Sequence, residues 1–353
     1  MRKGKRLIAW IMAVVMLFTI CVFGGNGTAE AAATTPVAKH GRLSVKGADL
    51  VDSKGNKFQL RGISTHGINW DVGSPYVNKK AFKTLRDDWG VNAIRLAMYT
   101  EEYNGYCSGG SQAKLRKLVD KGVGYATDLG MYAIIDWHIL SDGNPNKNKS
   151  QAKKFFTTMA KKYKNNKNVI YEICNEPNGC SWKEIKSYAT DIIKTIRKYD
   201  KKAVIIVGTP TWSQLGTDGT SNEVADSPIK GYKNIMYSLH FYASEWAHNE
   251  YLPAKVAYAR KKKLPIIVSE FGLSPASGDG AINKASADKW MKRLNKYNIS
   301  YFCWSLSNKN ESASLLKPST KKTSGWKSGD LSTAGKYIKK KYLARKKALG
   351  KKA

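Results

Sequence analysis

Eight short runs of apolar and β-branched residues recur along the chain, and this series constrains the fold more than any other feature of the sequence. The runs, in chain order, are FQLRGIST from Phe58, NAIRLAM from Asn92, YAIIDWH from Tyr132, VIYEICNE from Val169, AVIIVGTP from Ala203, IMYSLHFY from Ile235, PIIVSEFG from Pro265 and SYFCWSLS from Ser300. Amphipathic segments of helical period separate most of them, as in SWKEIKSYATDIIKTIRKYD. Near-continuous apolar strands that alternate with helices, at a repeat of roughly 30 to 40 residues, indicate a parallel sheet covered by helices.

Eight such units in about 290 residues fit an α/β fold of the (β/α)8 type, the TIM barrel. An open doubly wound sheet is the alternative, but its first strand is usually followed by a glycine-rich phosphate turn, and STHGINW is not one. We therefore predict a single-domain TIM barrel over residues 34–340. We also expect a small N-terminal β-hairpin, with Lys54-Gly55-Asn56 in its turn, to cap the barrel floor, and a basic C-terminal tail over residues 341–353.

The first 33 residues differ in character from the rest. A basic start precedes an apolar run from Leu7 to Phe23, and small residues follow, which predicts a secretory signal peptide over residues 1–33, cleaved after Ala31 or Ala33. Because the apolar run is long for a signal core, an uncleaved membrane anchor is an alternative. We expect a secreted, extracellular protein that is not bound to a membrane once the signal peptide is removed.

The chain is strongly basic, with a net charge of +33. Loss of the signal peptide, which has four basic residues and Glu30, leaves about +30. The lysines are scattered one or two at a time along helical segments rather than gathered with aromatic residues, which is typical of a solvated surface and not of a nucleic-acid-binding module. We therefore expect no nucleic-acid partner, while attraction to an anionic polymer or surface stays open as a secondary property.

Two of the cysteines bear on the redox chemistry of the protein. Cys107 and Cys180 lie in polar, glycine-containing loops, so they could form a disulfide in an oxidising compartment. No spacing rule compels this pairing, and free thiols are the alternative.

Polar and aromatic residues collect where the predicted strands end, which is where a TIM barrel carries its chemistry. These residues are His66, Trp70, Arg95, Tyr99, His138, Asn175, Glu176, Trp212, His240, Tyr242, Glu270 and Trp304. Any one of them alone would be interpreted as a loop residue or a core residue. Their joint placement instead favours one functional site at the barrel mouth.

Two of these residues are carboxylic acids, Glu176 after the fourth strand and Glu270 at the end of the seventh. Two glutamates without a nucleophilic serine or cysteine nearby suit glycoside hydrolysis, in which one protonates the leaving oxygen and the other attacks the sugar carbon. Tryptophan and tyrosine at the same rim suit sugar rings, whose C–H bonds pack on aromatic faces. The pattern predicts a carbohydrate cleft with the two carboxyl groups facing each other.

The chain resembles glycoside hydrolase family 5, in its branch of secreted bacterial endoglucanases, from about Lys39 to the late 330s. IYEICNEPNG is similar to the acid/base motif of that family and PIIVSEFG to its nucleophile motif, while RLAMY, DWH, HFY and WSLSNKNES are similar to its supporting segments. The resemblance implies a secreted, retaining endo-β-1,4-glucanase, or cellulase, that hydrolyses internal bonds by double displacement. Glu176 would be the acid/base and Glu270 the nucleophile.

The resemblance also implies roles for the surrounding residues. Arg95 would keep the nucleophile ionised and Asn175 would bind the sugar 2-hydroxyl, while the charge of Glu270 would raise the pKa of Glu176. His138, His240 and Tyr242 would frame the site. Substrate-binding positions would be His66, Trp70, Tyr99, Ala276, Lys309 and Glu311 on the glycone side, Trp212 on the leaving-group side and Trp304 under the sugar being cleaved.

The resemblance implies no cofactor and no metal, and the expected partner is a β-1,4-linked polysaccharide bound by a monomer. Three alternatives stay open at this point. The same site could act on mannan, xyloglucan or mixed-linkage β-glucan; the rim aromatics could belong to a non-catalytic polysaccharide-binding protein; or the histidines could hold a metal in a barrel hydrolase. Against the metal alternative, the first predicted strand of this sequence lacks the H-x-H pair that such metal sites use.

Overall fold

The computed structural model describes residues 35–350 and contains a closed barrel of eight parallel strands. The strands are β1 Ser44–Lys46, β2 Asp49–Val51, β3 Arg61–Thr65, β4 Ala93–Tyr99, β5 Tyr132–His138, β6 Val169–Glu172, β7 Ile205–Val207, β8 Ile235–Tyr242, β9 Ile266–Gly272 and β10 Tyr301–Leu306. Strands β3 to β10 form the barrel in chain order, with β10 pairing back to β3. The predicted TIM barrel is confirmed.

Helices surround the barrel. They are α1 Pro36–His40, α2 Lys79–Trp89, α3 Gln112–Asp128, α4 Lys149–Tyr163, α5 Trp182–Arg197, α6 Glu223–Asp226, α7 Trp246–Lys261, α8 Lys284–Lys296 and α9 Thr333–Gly350, with short 3-10 turns at Ser74–Tyr76 and Ser328–Asp330. Most barrel strands are followed by a long helix, but β7 is followed by a four-residue turn, Pro210–Ser213, and the short α6.

Burial on both faces explains why the barrel strands read as continuous apolar runs. Every residue of β4, β5, β8 and β9 is buried, because one face points into the barrel and the other packs under the helices. The parallel register then decides which strand-end residues become neighbours. Tyr99 pairs with His138 across β4 and β5, and His240 pairs with Glu270 across β8 and β9.

An apolar cluster closes the barrel at the amino ends of the strands. Its members, which we call the floor cluster, are Leu43, Leu50, Phe58, Leu60, Ala93, Tyr132, Ile134, Ile170, Val204, Ile206, Met236, Ile267 and Phe302. Gly62 makes room for the Phe302 ring, since a Cβ at Gly62 would lie 2.0 Å from two of its ring carbons. Burial of this cluster stabilises the fold at the end away from the strand-end residues.

Leu43, directly before β1, and Leu50 in β2 belong to the floor cluster, so the predicted N-terminal hairpin cap is present. The predicted turn of this hairpin was wrong. Ser44 pairs with Val51 and Lys46 with Asp49, which leaves residues 47 and 48 as the turn, and Gly47 supplies its positive φ of 58°. Lys54-Gly55-Asn56 instead forms the next turn, closed by a bridge between residues 51 and 57. The sequence offers two glycine turns, and the strand register selects the first.

The last helix extends further than the sequence suggested. α9 runs through Gly350, so most of the segment expected to be a tail lies in this helix. Buried Tyr342 donates its hydroxyl to the carbonyl of Gly62 (2.9 Å), and Arg345 Nε donates to Gln59 Oε1 (2.8 Å). These contacts attach the helix to the barrel floor despite its many lysines.

Three further sequence expectations concern the chain ends and the thiols. The predicted signal peptide, residues 1–33, and residues 351–353 lie outside the described residues. Between residues 35 and 350, none of the helices combines the length and apolar character that crossing a bilayer requires. The four cysteines in the same range are free thiols, so the Cys107–Cys180 disulfide is not formed in this structure.

Candidate active site

A cavity of about 610 Å³ lies at the carboxyl ends of the barrel strands. All but two of the predicted site residues line it: His66, Trp70, Tyr99, His138, Glu176, Trp212, His240, Tyr242, Glu270, Ala276, Trp304, Lys309 and Glu311. The two exceptions, Arg95 and Asn175, are buried beneath it. The structure therefore brings together residues that are separated by almost the whole length of the barrel sequence.

The two glutamates face each other across this cavity. One carboxylate oxygen of Glu176, one of Glu270 and one ring nitrogen of His240 lie within 4.8 Å of one another. Such a trio is small enough to surround a metal ion, but both nitrogens of His240 already contact protein groups, as described below. The short carboxyl separation is the one that direct attack of a carboxylate on a sugar carbon requires, roughly 5 Å.

Glu270 is held by two donors, one on each carboxylate oxygen. Arg95 Nη1 donates to Oε2 at 2.9 Å and the Tyr242 hydroxyl donates to Oε1 at 2.7 Å. The bond from the guanidinium is charge-assisted, and together the two bonds fix the direction in which the carboxylate points. Glu270 is buried, so bulk water contributes little to its solvation.

Glu176 has a different environment, with 13% of its side chain exposed. Burial raises the pKa of Glu176 to about 8; the charge of Arg95 opposes this rise, and the carboxyl groups of Asp136 and Glu172 add to it. The expected direction is thus present, but burial is its main cause rather than the charge of Glu270. A carboxyl with this pKa is protonated at neutral pH, as a general acid must be.

His240 connects Glu176 to a pair of buried serine hydroxyls. Its Nδ1 lies 2.8 Å from Glu176 Oε1 and its Nε2 lies 2.9 Å from Ser269 Oγ, which in turn bonds the hydroxyl of Ser238. Burial lowers the pKa of His240 to about 4, so the ring is neutral and has one N–H. When Glu176 is protonated it donates to Nδ1, and the Nε2–H then donates to Ser269.

Arg95 is the centre of a charge cluster beneath the cavity. Its guanidinium donates to Glu172 Oε2 (2.7 Å) and lies 3.0 Å from Asp136 Oδ2, in addition to its bond to Glu270. Burial raises the pKa of Asp136 to about 7 and also raises that of Glu172, while Arg95 opposes both shifts. One cation therefore lies among three neighbouring carboxyl groups, and burial raises the pKa of two of them, Asp136 and Glu172.

Asn175 is tied into the same cluster. Its Oδ1 accepts from Arg95 Nη2 at 2.5 Å, and its Nδ2 donates to the Ile139 carbonyl at 3.1 Å and lies 3.2 Å from His138 Nε2. The amide thus orients Arg95 and His138 from below. The role in binding a sugar 2-hydroxyl stays a prediction.

Aromatic side chains form one side of the cavity. Trp304 stacks on His138 with ring centroids 5.3 Å apart, and Trp70 lies against Tyr99 at 4.5 Å. His66 lies 5.1 Å from the Trp304 ring. The peptide bond between Trp304 and Ser305 is cis. These faces are apolar surfaces of the size that a pyranose ring covers.

Trp212 also lines the cavity and lies on a strained turn. Thr211, Trp212 and Ser213 all have left-handed φ angles, of 56°, 52° and 63°, which non-glycine residues adopt only when their surroundings enforce it. Ser213 Oγ donates to the Asn175 carbonyl at 2.7 Å, and the Trp212 N–H donates to the Pro177 carbonyl at 3.0 Å. The turn is thereby fastened to the segment that carries Glu176.

Sequence reasoning missed several residues of the site. The cavity is also lined by Glu102, Leu140, Gln214, Glu245, His248, Ser277 and Gly278, which belong to no motif in the sequence. Glu172 and Ser269 were also missed, although both carried a signal. A carboxyl or hydroxyl in the interior of a buried strand needs a partner, so its presence there points to a polar cluster.

A parallel eight-stranded barrel with two facing glutamates and an aromatic-lined cleft at its mouth is the arrangement of a barrel glycoside hydrolase. The family model described as "Cellulase (glycosyl hydrolase family 5)" matches residues 51–310. This chain belongs to glycosyl hydrolase family 5, as the motifs in the sequence suggested.

Named relatives agree with this membership. The chain is 47% identical over 341 residues to "Endoglucanase" of Clostridium saccharobutylicum, covering 95% of this chain and 72% of the relative. It is 45% identical over 303 residues to "Endoglucanase A" of Butyrivibrio fibrisolvens, covering 85% and 68%. A variant of the catalytic domain of Thermobifida fusca endoglucanase Cel5A, solved in complex with cellotetraose, matches with a TM-score of 0.81 and 36% identity over 88% of this chain and 99% of that domain.

Proposed function

We propose that this protein is a retaining endo-β-1,4-glucanase, which cleaves internal bonds of a β-1,4-glucan by double displacement. The observation that carries the proposal is the separation of at most 4.8 Å between carboxylate oxygens of Glu176 and Glu270. An inverting enzyme needs its carboxyl groups about 6.5–9.5 Å apart, to leave room for the attacking water. Here the nucleophilic carboxylate reaches the sugar carbon itself.

In the first step Glu270 attacks the anomeric carbon while Glu176 donates its proton to the departing glycosidic oxygen. The bond between that carbon and oxygen breaks, and an ester bond to Glu270 forms. Arg95 and Tyr242 align the attacking carboxylate through the two hydrogen bonds described above. The raised pKa of Glu176, about 8, keeps this carboxyl group protonated at neutral pH.

In the second step Glu176, now ionised, removes a proton from a water molecule that attacks the same carbon and releases Glu270. His240 remains beside Glu176 in both steps and keeps Oε1 oriented. Both serine hydroxyls behind the ring can donate or accept, so they suit either neutral tautomer of His240.

The preference for β-1,4-glucan rests on the relatives named endoglucanase and on the cellotetraose bound by the Thermobifida domain. Mannan, xyloglucan and mixed-linkage β-glucan are the alternative substrates. A panel of these polysaccharides, with product lengths and anomeric configuration followed by NMR, tests the proposal. We expect early random cleavage of β-1,4-glucan with retained β configuration. Inversion, or stronger activity on mannan, would overturn it.

A Glu270→Gln variant separates an enzyme from a polysaccharide-binding protein. Glutamine keeps the shape of the side chain but cannot form the covalent intermediate, so hydrolysis should fall by at least about a thousandfold while oligosaccharide binding persists. Glu223→Gln on α6 makes the same change outside the cavity and keeps an acceptor for the Thr217 N–H, so it should retain wild-type activity. Unchanged hydrolysis in Glu270→Gln would refute the assignment.

We also propose that the protein is secreted. The support is the N-terminal sequence of residues 1–33, with its basic start, apolar run and small residues near Ala31 and Ala33. The N-terminal sequence of protein recovered from culture medium tests this. A chain beginning at residue 32 or 34 is expected, and an intact N-terminus in the membrane fraction would indicate an anchor.

A further inference from the structure

Two large aromatic side chains stand exposed on α7, outside the residues that line the cavity. Trp246 is 69% exposed and Tyr251 is 38% exposed, and their ring centroids lie 5.8 Å apart at an interplanar angle of 82°. Tryptophan is usually well covered in a soluble protein, so a largely exposed ring beside a second aromatic ring is a candidate for a binding surface. We call these two residues the α7 aromatic pair.

The α7 aromatic pair adjoins the cleft on two sides. On one side, Glu245 directly precedes Trp246 at the start of α7 and His248 follows it by two residues, and both Glu245 and His248 line the cavity. On the other side, the Tyr251 ring lies against Gly219, where an added Cβ would come within 2.8 Å of the ring. Gly219 belongs to the loop that follows Trp212.

That loop is fastened to α7 by a buried lysine. Lys255 Nζ donates to the carbonyl of Gln214 at 3.1 Å and also to the carbonyl of Asp218. Gln214 itself lines the cavity, close in sequence to Trp212. The rim of the cleft at Trp212 therefore continues onto the surface that carries the aromatic pair.

We propose that Trp246 and Tyr251 form a further carbohydrate-binding platform, which holds the β-glucan chain where it leaves the cleft beyond Trp212. This inference rests on the proposed function for its ligand. Sugar rings present C–H faces that pack on exposed indole and phenol rings, and both rings keep a polar edge for hydroxyl groups. Exposed aromatic surface that continues from a glycan cleft matches a long glycan chain rather than a protein partner.

The platform predicts a dependence on substrate length. For Trp246→Ala, we expect KM on hydroxyethylcellulose to rise about three- to tenfold, the change that loss of one aromatic contact produces. The kcat/KM on 4-nitrophenyl β-cellobioside should stay at the wild-type value, because its leaving group is a single ring that ends inside the cleft. The double variant with Tyr251→Ala should show a larger increase on the polymer alone.

Leu343→Ala is a matched control, since Leu343 is an exposed apolar residue on α9, the helix that contacts the barrel floor through Tyr342. It should behave as wild type on both substrates. Equal KM values for wild type and Trp246→Ala on the polymer, or equal losses on both substrates, would overturn the platform.

A binding measurement tests the platform apart from turnover. In the Glu270→Gln background, calorimetry should show that Trp246→Ala weakens cellohexaose binding several-fold and leaves cellobiose binding unchanged. Inactivity of the wild type on every glucan would refute the proposed function, whereas identical cellohexaose affinities with and without Trp246 would refute the platform.

Discussion

The two ends of the barrel are built from the same strands but from opposite kinds of side chain. In β6, Ile170 belongs to the apolar floor cluster and Glu172, two residues further on, belongs to the charge cluster around Arg95. In β9, Ile267 lies in the floor cluster, and Ser269, two residues further on, hydrogen-bonds His240. Because side chains two residues apart share a face of a strand, the inward face changes from apolar to polar within one step.

This change separates stability from chemistry. The floor needs only apolar burial, which stabilises the fold without regard to pH. The mouth buries carboxyl groups, which costs stability and in return raises the pKa of Glu176 and Asp136. If the two ends are this distinct, substitutions at the mouth should alter the pH dependence of stability or activity, whereas substitutions at the floor should not.

The largest expected effect comes from Arg95→Met. The variant leaves the carboxyl groups of Asp136, Glu172 and Glu270 without their cation, so the free energy of unfolding should fall by about 3–5 kcal/mol. Without Arg95 the pKa values of Asp136 and Glu172 rise further. Their protons must then be retained in the folded state while the unfolded chain ionises. Urea unfolding should therefore show a larger deficit at pH 8 than at pH 5.

Arg293→Met is the control for this experiment, because Arg293 is partly exposed and lies over the Trp290 ring on α8. The Arg293→Met substitution should lower the free energy of unfolding by less than about 1 kcal/mol, equally at pH 5 and pH 8. If both variants lost the same free energy of unfolding, the buried position of Arg95 would not explain its contribution to stability.

The second effect concerns the decline of activity at alkaline pH. Because the acid form of Glu176 is required and its pKa is about 8, kcat/KM on glucan oligosaccharides should fall tenfold per pH unit above that value. Aryl cellobiosides with good leaving groups need less proton donation, so their alkaline limb should be weaker. If activity on both substrates instead fell around pH 5, either the pKa of Glu176 is not raised or Glu176 is not the general acid.

The third effect tests the floor. Ile267→Val removes one methylene from the floor cluster and should lower the free energy of unfolding by about 0.5–1.5 kcal/mol. Measured by urea denaturation and by a pH series of kcat/KM, the variant should be less stable but keep the wild-type pH profile. A shifted pH profile of kcat/KM would mean that packing at the floor influences the pKa of Glu176.

The smallest effect is expected for Ser269→Ala, two residues above Ile267 on the same strand. The variant leaves Nε2 of His240 without its hydroxyl partner in either tautomer. An unpaired buried N–H costs more than an unpaired ring nitrogen, so the Nδ1–H tautomer and thereby the ionised form of Glu176 are favoured. The alkaline limb should move to lower pH by about half a unit, the size of one neutral hydrogen bond. If the profile of Ser269→Ala superimposes on that of Ile267→Val, the serines do not influence the acid.

Much of this site could be predicted from residue order, because a parallel barrel gathers its strand ends at one mouth. Glu176, Glu270 and the rim aromatics follow from that rule once the apolar runs are recognised. Glu172 and Ser269 do not follow from it, since both faces of a barrel strand are buried and an apolar run does not reveal which residues point inward. The exposed pair Trp246 and Tyr251 also lacks any motif, and only the folded loop after Trp212 relates it to the cleft.

The amino-acid sequence by itself determined the eight strands, the helices between them and the family motifs, because local apolar patterning and motif order are written along the chain. The tertiary structure alone decided the distance between the two glutamates, the set of carboxyl groups around Arg95 and the value near 8 for the pKa of Glu176. Those properties depend on distances between different strands and on how far each group is removed from water, and both arise only when the barrel closes.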